Sequence, residues 1–173
     1  LVVMQHPVTT EYIESRKHIE ETLHAIKDLS IPVFWFWPNV DAGADGTSTG
    51  IRSFRERFDL NYTHFFKNME PMDFLKLLYN SKGLIGNSSV GIRECAYLPV
   101  PVVNIGTRQH RRDRGANVLD VDYDRYKIRQ SIEYWLSNGK PARSDIYGGG
   151  DAGKKIADLL ATLPIRFHKT IAY

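Results

Sequence analysis

The 173 residues include a single cysteine, Cys95. No disulfide can form within the chain, which excludes the disulfide-stapled secreted scaffolds and points to a reducing compartment. No apolar run approaches the roughly 20 residues that span a bilayer. The opening Leu1-Val2-Val3-Met4-Gln5-His6 lacks both the basic n-region and the cleavage pattern of a signal peptide. A cytoplasmic protein without membrane contact is the expectation, and the sequons at Asn61 and Asn87 are then chance matches. An excess of one charge is missing too: 23 basic and 20 acidic residues are mixed along the chain. No aromatics interleave with the arginines of the Gly106 to Gly115 loop, so nucleic acid is not an expected partner. Repeats, low-complexity tracts and heptads are absent. There is also no leading methionine, and Leu1 to Met4 reads as a strand already under way, as though cut from a longer protein.

What is present is an alternation. Hydrophobic residues make up 42% of the chain, enough for one core, and residues 1–173 read as a single domain. Short β-branched or aromatic runs mark strands at Leu1 to Met4, Pro32 to Trp37, Tyr62 to Phe65, Gly83 to Ile85, Pro101 to Ile105 and Asn117 to Leu119. Helical periods fill Thr10 to Leu29, Thr47 to Phe58, Pro71 to Ser81, Ser89 to Leu98, Asp124 to Ser137 and Asp151 to Leu163. In the first of these, Ile13, Ile19, Leu23, Ile26 and Leu29 form an apolar stripe, with charges on the other faces. The last, capped by Asp151 after three glycines, is expected to close the domain. The fold class is α/β, a Rossmann-like doubly wound six-stranded parallel sheet in the order 3-2-1-4-5-6. In that order the loops after the first and fourth strands flank one crevice, where ligands bind.

The loop after the fourth strand, Gly86-Asn87-Ser88-Ser89-Val90-Gly91-Ile92-Arg93-Glu94, reads as an anion cradle. First-turn N–H groups and the hydroxyls of Ser88 and Ser89 would face a phosphate. The plain alternative is a serine N-cap followed by a packing Gly91. The loop is not a Walker A motif, because Ile92-Arg93 stands where lysine and a hydroxyl residue belong, and it has no G-x-G-x-x-G pattern. Glu94 could accept hydrogen bonds from both hydroxyls of a ribose, or simply be solvated. After the fifth strand, Arg108 is best placed to clamp a diphosphate, while Arg111, Arg112 and Arg114 should meet solvent or another domain. His6, kept out of helical geometry by Pro7, stands at the predicted switch point, where phosphate contact or proton transfer would suit its titration range.

These segments resemble one family in order along the chain. They are Gln5 to Thr10, Pro38 to Gly43, Gly86 to Glu94, Pro101 to Gln109, Arg114 to Leu119 and Ile146 to Gly150. Together they are similar to the C-terminal half of the hydrolysing UDP-N-acetylglucosamine 2-epimerases, which make N-acetylmannosamine for sialic acid synthesis. One departure is Ala116, where that family commonly has glutamate. The resemblance implies a two-domain fold of the glycosyltransferase-B type. UDP would lie on this domain and the acidic proton-transfer residues largely on an N-terminal partner domain. It further implies UDP contacts at Ser88, Ser89, Val90, Gly91, Glu94 and Arg108, uracil near Phe66 and Lys67, and His6 at the reacting end. Asn39 and Asp41 would lie on the substrate side. No metal or cofactor is implied, and the full-length protein would be a homo-oligomer. The UDP-sugar could be UDP-N-acetylglucosamine or a diacetamido-trideoxy sugar. A UDP-sugar glycosyltransferase of the same fold and a non-catalytic nucleotide-sugar-binding module are the alternatives.

Overall fold

The computed structural model describes residues 1–164. Residues 165–173, counted above within the same domain, lie outside the described part. Six parallel strands are β1 (Val2–Met4), β2 (Val33–Phe36), β3 (Thr63–Phe66), β4 (Leu84–Gly86), β5 (Val102–Ile105) and β6 (Val118–Val121). They lie in the order β3-β2-β1-β4-β5-β6, as expected for a doubly wound sheet. At the centre, Val3 pairs with both Trp35 and Ile85, so β1 is enclosed by neighbours on both sides.

The strands are near-continuous hydrophobic runs because both faces of the sheet are covered. Side chains alternate between faces, and adjacent Val2 and Val3 enter different cores. One core gathers Val3, Trp35, Ile85, Val103 and Ile105 under α1 (Ser15–Ile26), α2 (Ala44–Arg57) and α6 (Arg125–Asn138). The other gathers Val2, Phe36, Leu84 and Val102 under α3 (Pro71–Asn80) and two short helices, α4 (Ser89–Ile92) and α5 (Glu94–Tyr97). Each large side chain sealed there contributes about 1.5–3 kcal/mol relative to exposure. Cys95 of α5 is fully buried in this second core, and burial followed by the Glu94 charge pushes its thiol pKa far up.

Three helices differ from the sequence expectation. The first begins as a 3-10 segment, Thr9–Glu14, kinked at Glu11, before α1 starts at Ser15. The helix expected over Ser89 to Leu98 breaks at Arg93 (φ −104°, ψ −78°) into α4 and α5. The last helix, α7 (Ala152–Thr162), buries no residue and so does not close the domain. Asp151 makes no side-chain cap bond to its first turn, and instead pairs with Lys155 at 2.9 Å. No helix among the described residues is long and apolar enough to cross a membrane.

Candidate functional site

β1 and β4 are neighbours whose crossovers leave on opposite faces, which opens a crevice at their carboxyl ends. Gly86 makes the close approach possible. Its φ is +134°, and a Cβ there would collide with the Met4 carbonyl oxygen. The next residue, Asn87, is fully buried. Its Oδ1 accepts the His6 backbone N–H at 2.7 Å, and its Nδ2 donates to the His6 carbonyl at 2.8 Å. Its own carbonyl accepts from Gln109 Nε2 at 2.7 Å and from Arg108 Nη1 at 3.4 Å. One residue therefore joins the loops after β1, β4 and β5.

Around this hub the structure brings together four of the sequence candidates. The His6 Nδ1 accepts the Asn39 backbone N–H at 3.2 Å, which leaves the ring proton on Nε2. Asn39 Nδ2 donates to Asp41 Oδ2 at 2.5 Å, and Arg108 Nη2 lies 3.6 Å from that same oxygen. Burial, followed by the Arg108 charge, lowers the His6 pKa to about 4 against the opposing pull of Asp41. His6 is thus a neutral N–H donor at pH 7, not the group titrating near neutrality that its residue type suggested. Beside it, Thr9, Thr10, Glu11, Asp41, Thr107 and Arg108 line an open cleft of about 470 Å³.

The serine turn differs in detail from an open cradle. Ser88 Oγ accepts the Val90 N–H at 3.4 Å, and the Ser88 carbonyl accepts the Gly91 N–H at 3.0 Å. Both N–H groups expected to face a ligand are engaged in capping. Gly91 itself packs under Val102 and Leu84. With α4 only one turn long, the dipole of a ten-residue helix is not available. The donors left are the Ser88 hydroxyl proton and the half-buried Ser89.

Glu94, at the head of α5, lines a second cleft of about 460 Å³ with Leu75, Arg93, Tyr97, Ser144 and Tyr147. Its Oε2 is buried with no hydrogen-bond partner. A buried acceptor in this state costs about 1–3 kcal/mol until a donor arrives, which suits a diol. Phe66 stacks between Phe34 and Phe36 in the core, its carbonyl already accepting the Trp37 N–H at 3.0 Å. Only its neighbour Lys67 is exposed.

Of the remaining arginines, Arg111 and Arg112 are exposed as expected. Arg114 is not: it turns inward, donating to the carbonyls of Gln109 (2.9 Å) and Arg112 (2.5 Å) and pairing with Asp120 at 2.7 Å. Carbonyls in an irregular loop have no ladder partner, and a guanidinium supplies the missing donors. Sequence reasoning assigned no role to Asn87 or Gln109. For Asn87 the available signal was a polar residue directly after the apolar Leu84-Ile85-Gly86 strand, where a buried amide seeks partners; Gln109 carried no such signal.

A family model described as UDP-N-acetylglucosamine 2-epimerase matches residues 1–161. The chain belongs to that family. A UDP-N,N'-diacetylbacillosamine 2-epimerase (hydrolyzing) from Legionella pneumophila is 29% identical over 95% of this epimerase-family chain and 43% of its own length. The UDP-N-acetylglucosamine 2-epimerase of Neisseria meningitidis is 30% identical over 87% of the chain and 39% of its own length. The chain thus spans about two-fifths of the curated relatives it matches, in their C-terminal part. The crystal structure of the Methanocaldococcus jannaschii UDP-GlcNAc 2-epimerase in complex with UDP-GlcNAc and UDP superposes with a TM-score of 0.70. It is 17% identical, over 92% of this chain and 44% of that one. The shared architecture is the glycosyltransferase-B type.

Proposed function

We propose that this chain is the UDP-binding half of a hydrolysing UDP-N-acetylglucosamine 2-epimerase, acting on UDP-N-acetylglucosamine or a diacetamido-trideoxy relative. The observation that supports it most is the convergence of the Arg108 guanidinium and the neutral His6 ring on the Asn39–Asp41 pair, with Asn87 tying their two loops together. Arginine offers five N–H donors, so those directed at neither the Asn87 carbonyl nor Asp41 remain for phosphate oxygens. The His6 Nε2 proton and the Ser88 and Ser89 hydroxyls extend that donor set, and the unmet Glu94 oxygen fits a ribose diol.

In this reading the sugar loses its C2 proton to a base while UDP leaves C1, and water adds to the resulting glycal with inversion at C2. Free N-acetylmannosamine and UDP result. This domain's share is to stabilise the negative charge growing on departing UDP with donors fixed in place beforehand. The base would belong to an N-terminal domain, the full protein would be cytoplasmic and oligomeric, and the chain alone would release no UDP from UDP-N-acetylglucosamine. Calorimetry with UDP, UMP and GDP tests the binding claim. UDP should be preferred, and Arg108→Ala should weaken it by about 30-fold, the worth of a charged bidentate contact. Equal affinity for all three nucleotides, or an indifferent Arg108→Ala, would sink the reading.

A further inference from the structure

The 3-10 segment after β1 places a second carboxylate beside the site. Glu11 stands at its kink (φ −124°, ψ 21°), off the regular helical path. One oxygen, Oε1, accepts the Thr107 hydroxyl, and the other, Oε2, accepts the Tyr123 hydroxyl at 3.3 Å. The His18 ring stacks on Tyr123 with centroids 3.5 Å apart and planes 1° apart, its Nδ1 lying 3.8 Å from Oε2. Gly106, at the end of β5, has a φ of +73°, and any Cβ there would enter the Tyr123 ring. The turn from β5 into the arginine loop is therefore pressed against Tyr123 and bonded to Glu11, and the residue after Thr107 is Arg108.

We infer that Glu11 is a positioning residue for Arg108, fixing the Thr107 turn so that the guanidinium meets the Asn87 carbonyl and the crevice shared with His6. Two donors converge from different elements, the loop after β5 and the loop after β6, and a carboxylate offers two acceptors to meet them. An amide offers one acceptor, so Glu11→Gln keeps part of the arrangement and Glu11→Ala keeps none. The ligand in this inference rests on the nucleotide reading above, whereas the geometry does not.

The test is a double-mutant cycle read by UDP calorimetry on the full chain. Glu11→Ala should weaken UDP binding about tenfold and Glu11→Gln by less, because a displaced arginine loses a charged hydrogen bond. In the Arg108→Ala background the Glu11→Ala loss should vanish, and Thr107→Val should reproduce it in the wild-type background. A loss of the same size in both backgrounds, or no loss at all, overturns the inference, since damage to folding alone would add to the arginine deletion. Should Glu11→Ala fail to fold, Glu11→Gln and Thr107→Val carry the cycle. If the wild-type chain binds no UDP, the nucleotide reading fails by itself. The NMR resonance of the Arg108 Nε–H then decides the inference: a shift in Thr107→Val and Glu11→Gln supports it, and an unmoved resonance overturns it.

Discussion

The carboxyl edge of the sheet and the final helix show two ways of holding a segment in place. At the edge, Asn87 and His6 exchange two hydrogen bonds across 81 positions of sequence, and both Asn87 and Gln109 are sealed from water. Helix α7 has no buried residue, and its ion pairs, Lys154 with Asp158 and Lys155 with Asp151, are local and exposed. The first arrangement is cooperative with the fold, because it exists only while three strands are in register. The second draws on propensity and on i,i+4 pairs worth a few tenths of a kcal/mol each, so it can open without the rest.

The sharpest way to break that comparison is Asn87→Ala. It would leave the His6 N–H and carbonyl unmatched in a buried site, and we expect a loss of about 3 kcal/mol in urea unfolding. A loss below 1 kcal/mol would mean that water or a neighbour replaces the amide, and the edge would be no more cooperative than the helix.

A smaller effect concerns acid. His6 has a folded pKa of about 4, below its ordinary value of 6.5. The unfolded chain therefore binds this proton first. The contribution is complete above pH 6.5 and is lost as pH falls from 6.5 towards 4, amounting to about 2 kcal/mol once partial exposure is allowed for. In His6→Gln that part of the acid slope should disappear. An unchanged slope between pH 6.5 and 4 would show that the ring is not desolvated as described.

The smallest expected change is in α7. Ala157→Gly with Ala161→Gly lowers helix propensity by about 1 kcal/mol per site. Hydrogen exchange in α7 should speed up accordingly, while the midpoint of global unfolding stays in place. A midpoint that moves with the helix would show α7 to be bound into the domain after all.

Much of the architecture was legible in the sequence because both faces of the sheet are covered. Val33–Phe36 stays apolar throughout and Val102–Ile105 is broken only by Asn104, and their spacing leaves room for a crossover helix. The candidates His6 and Arg108 could be placed at one edge because loops at the strand ends of such a sheet share it, whereas Asn39 and Asp41 came from the family resemblance. The break at Arg93 was not legible, since Ile92, Cys95 and Ala96 keep the i, i+3, i+4 helical period through it. The exposure of α7 was equally hidden, because an amphipathic stripe of Ile156, Leu159, Leu160 and Leu163 reads the same whether or not its own domain covers it. Nor could the sequence show that Arg114 turns inward, because the Gln109 and Arg112 carbonyls that attract it carry no side-chain signature.

The sealed thiol of Cys95 makes the protein its own clock. Because this lone thiol lies under the second core, alkylating reagents reach it only when that layer parts from the strands. Labelling rates followed across denaturant would time that opening without any engineered probe, and a ligand that ties the α4–α5 turn to the sheet would register as a slower tick.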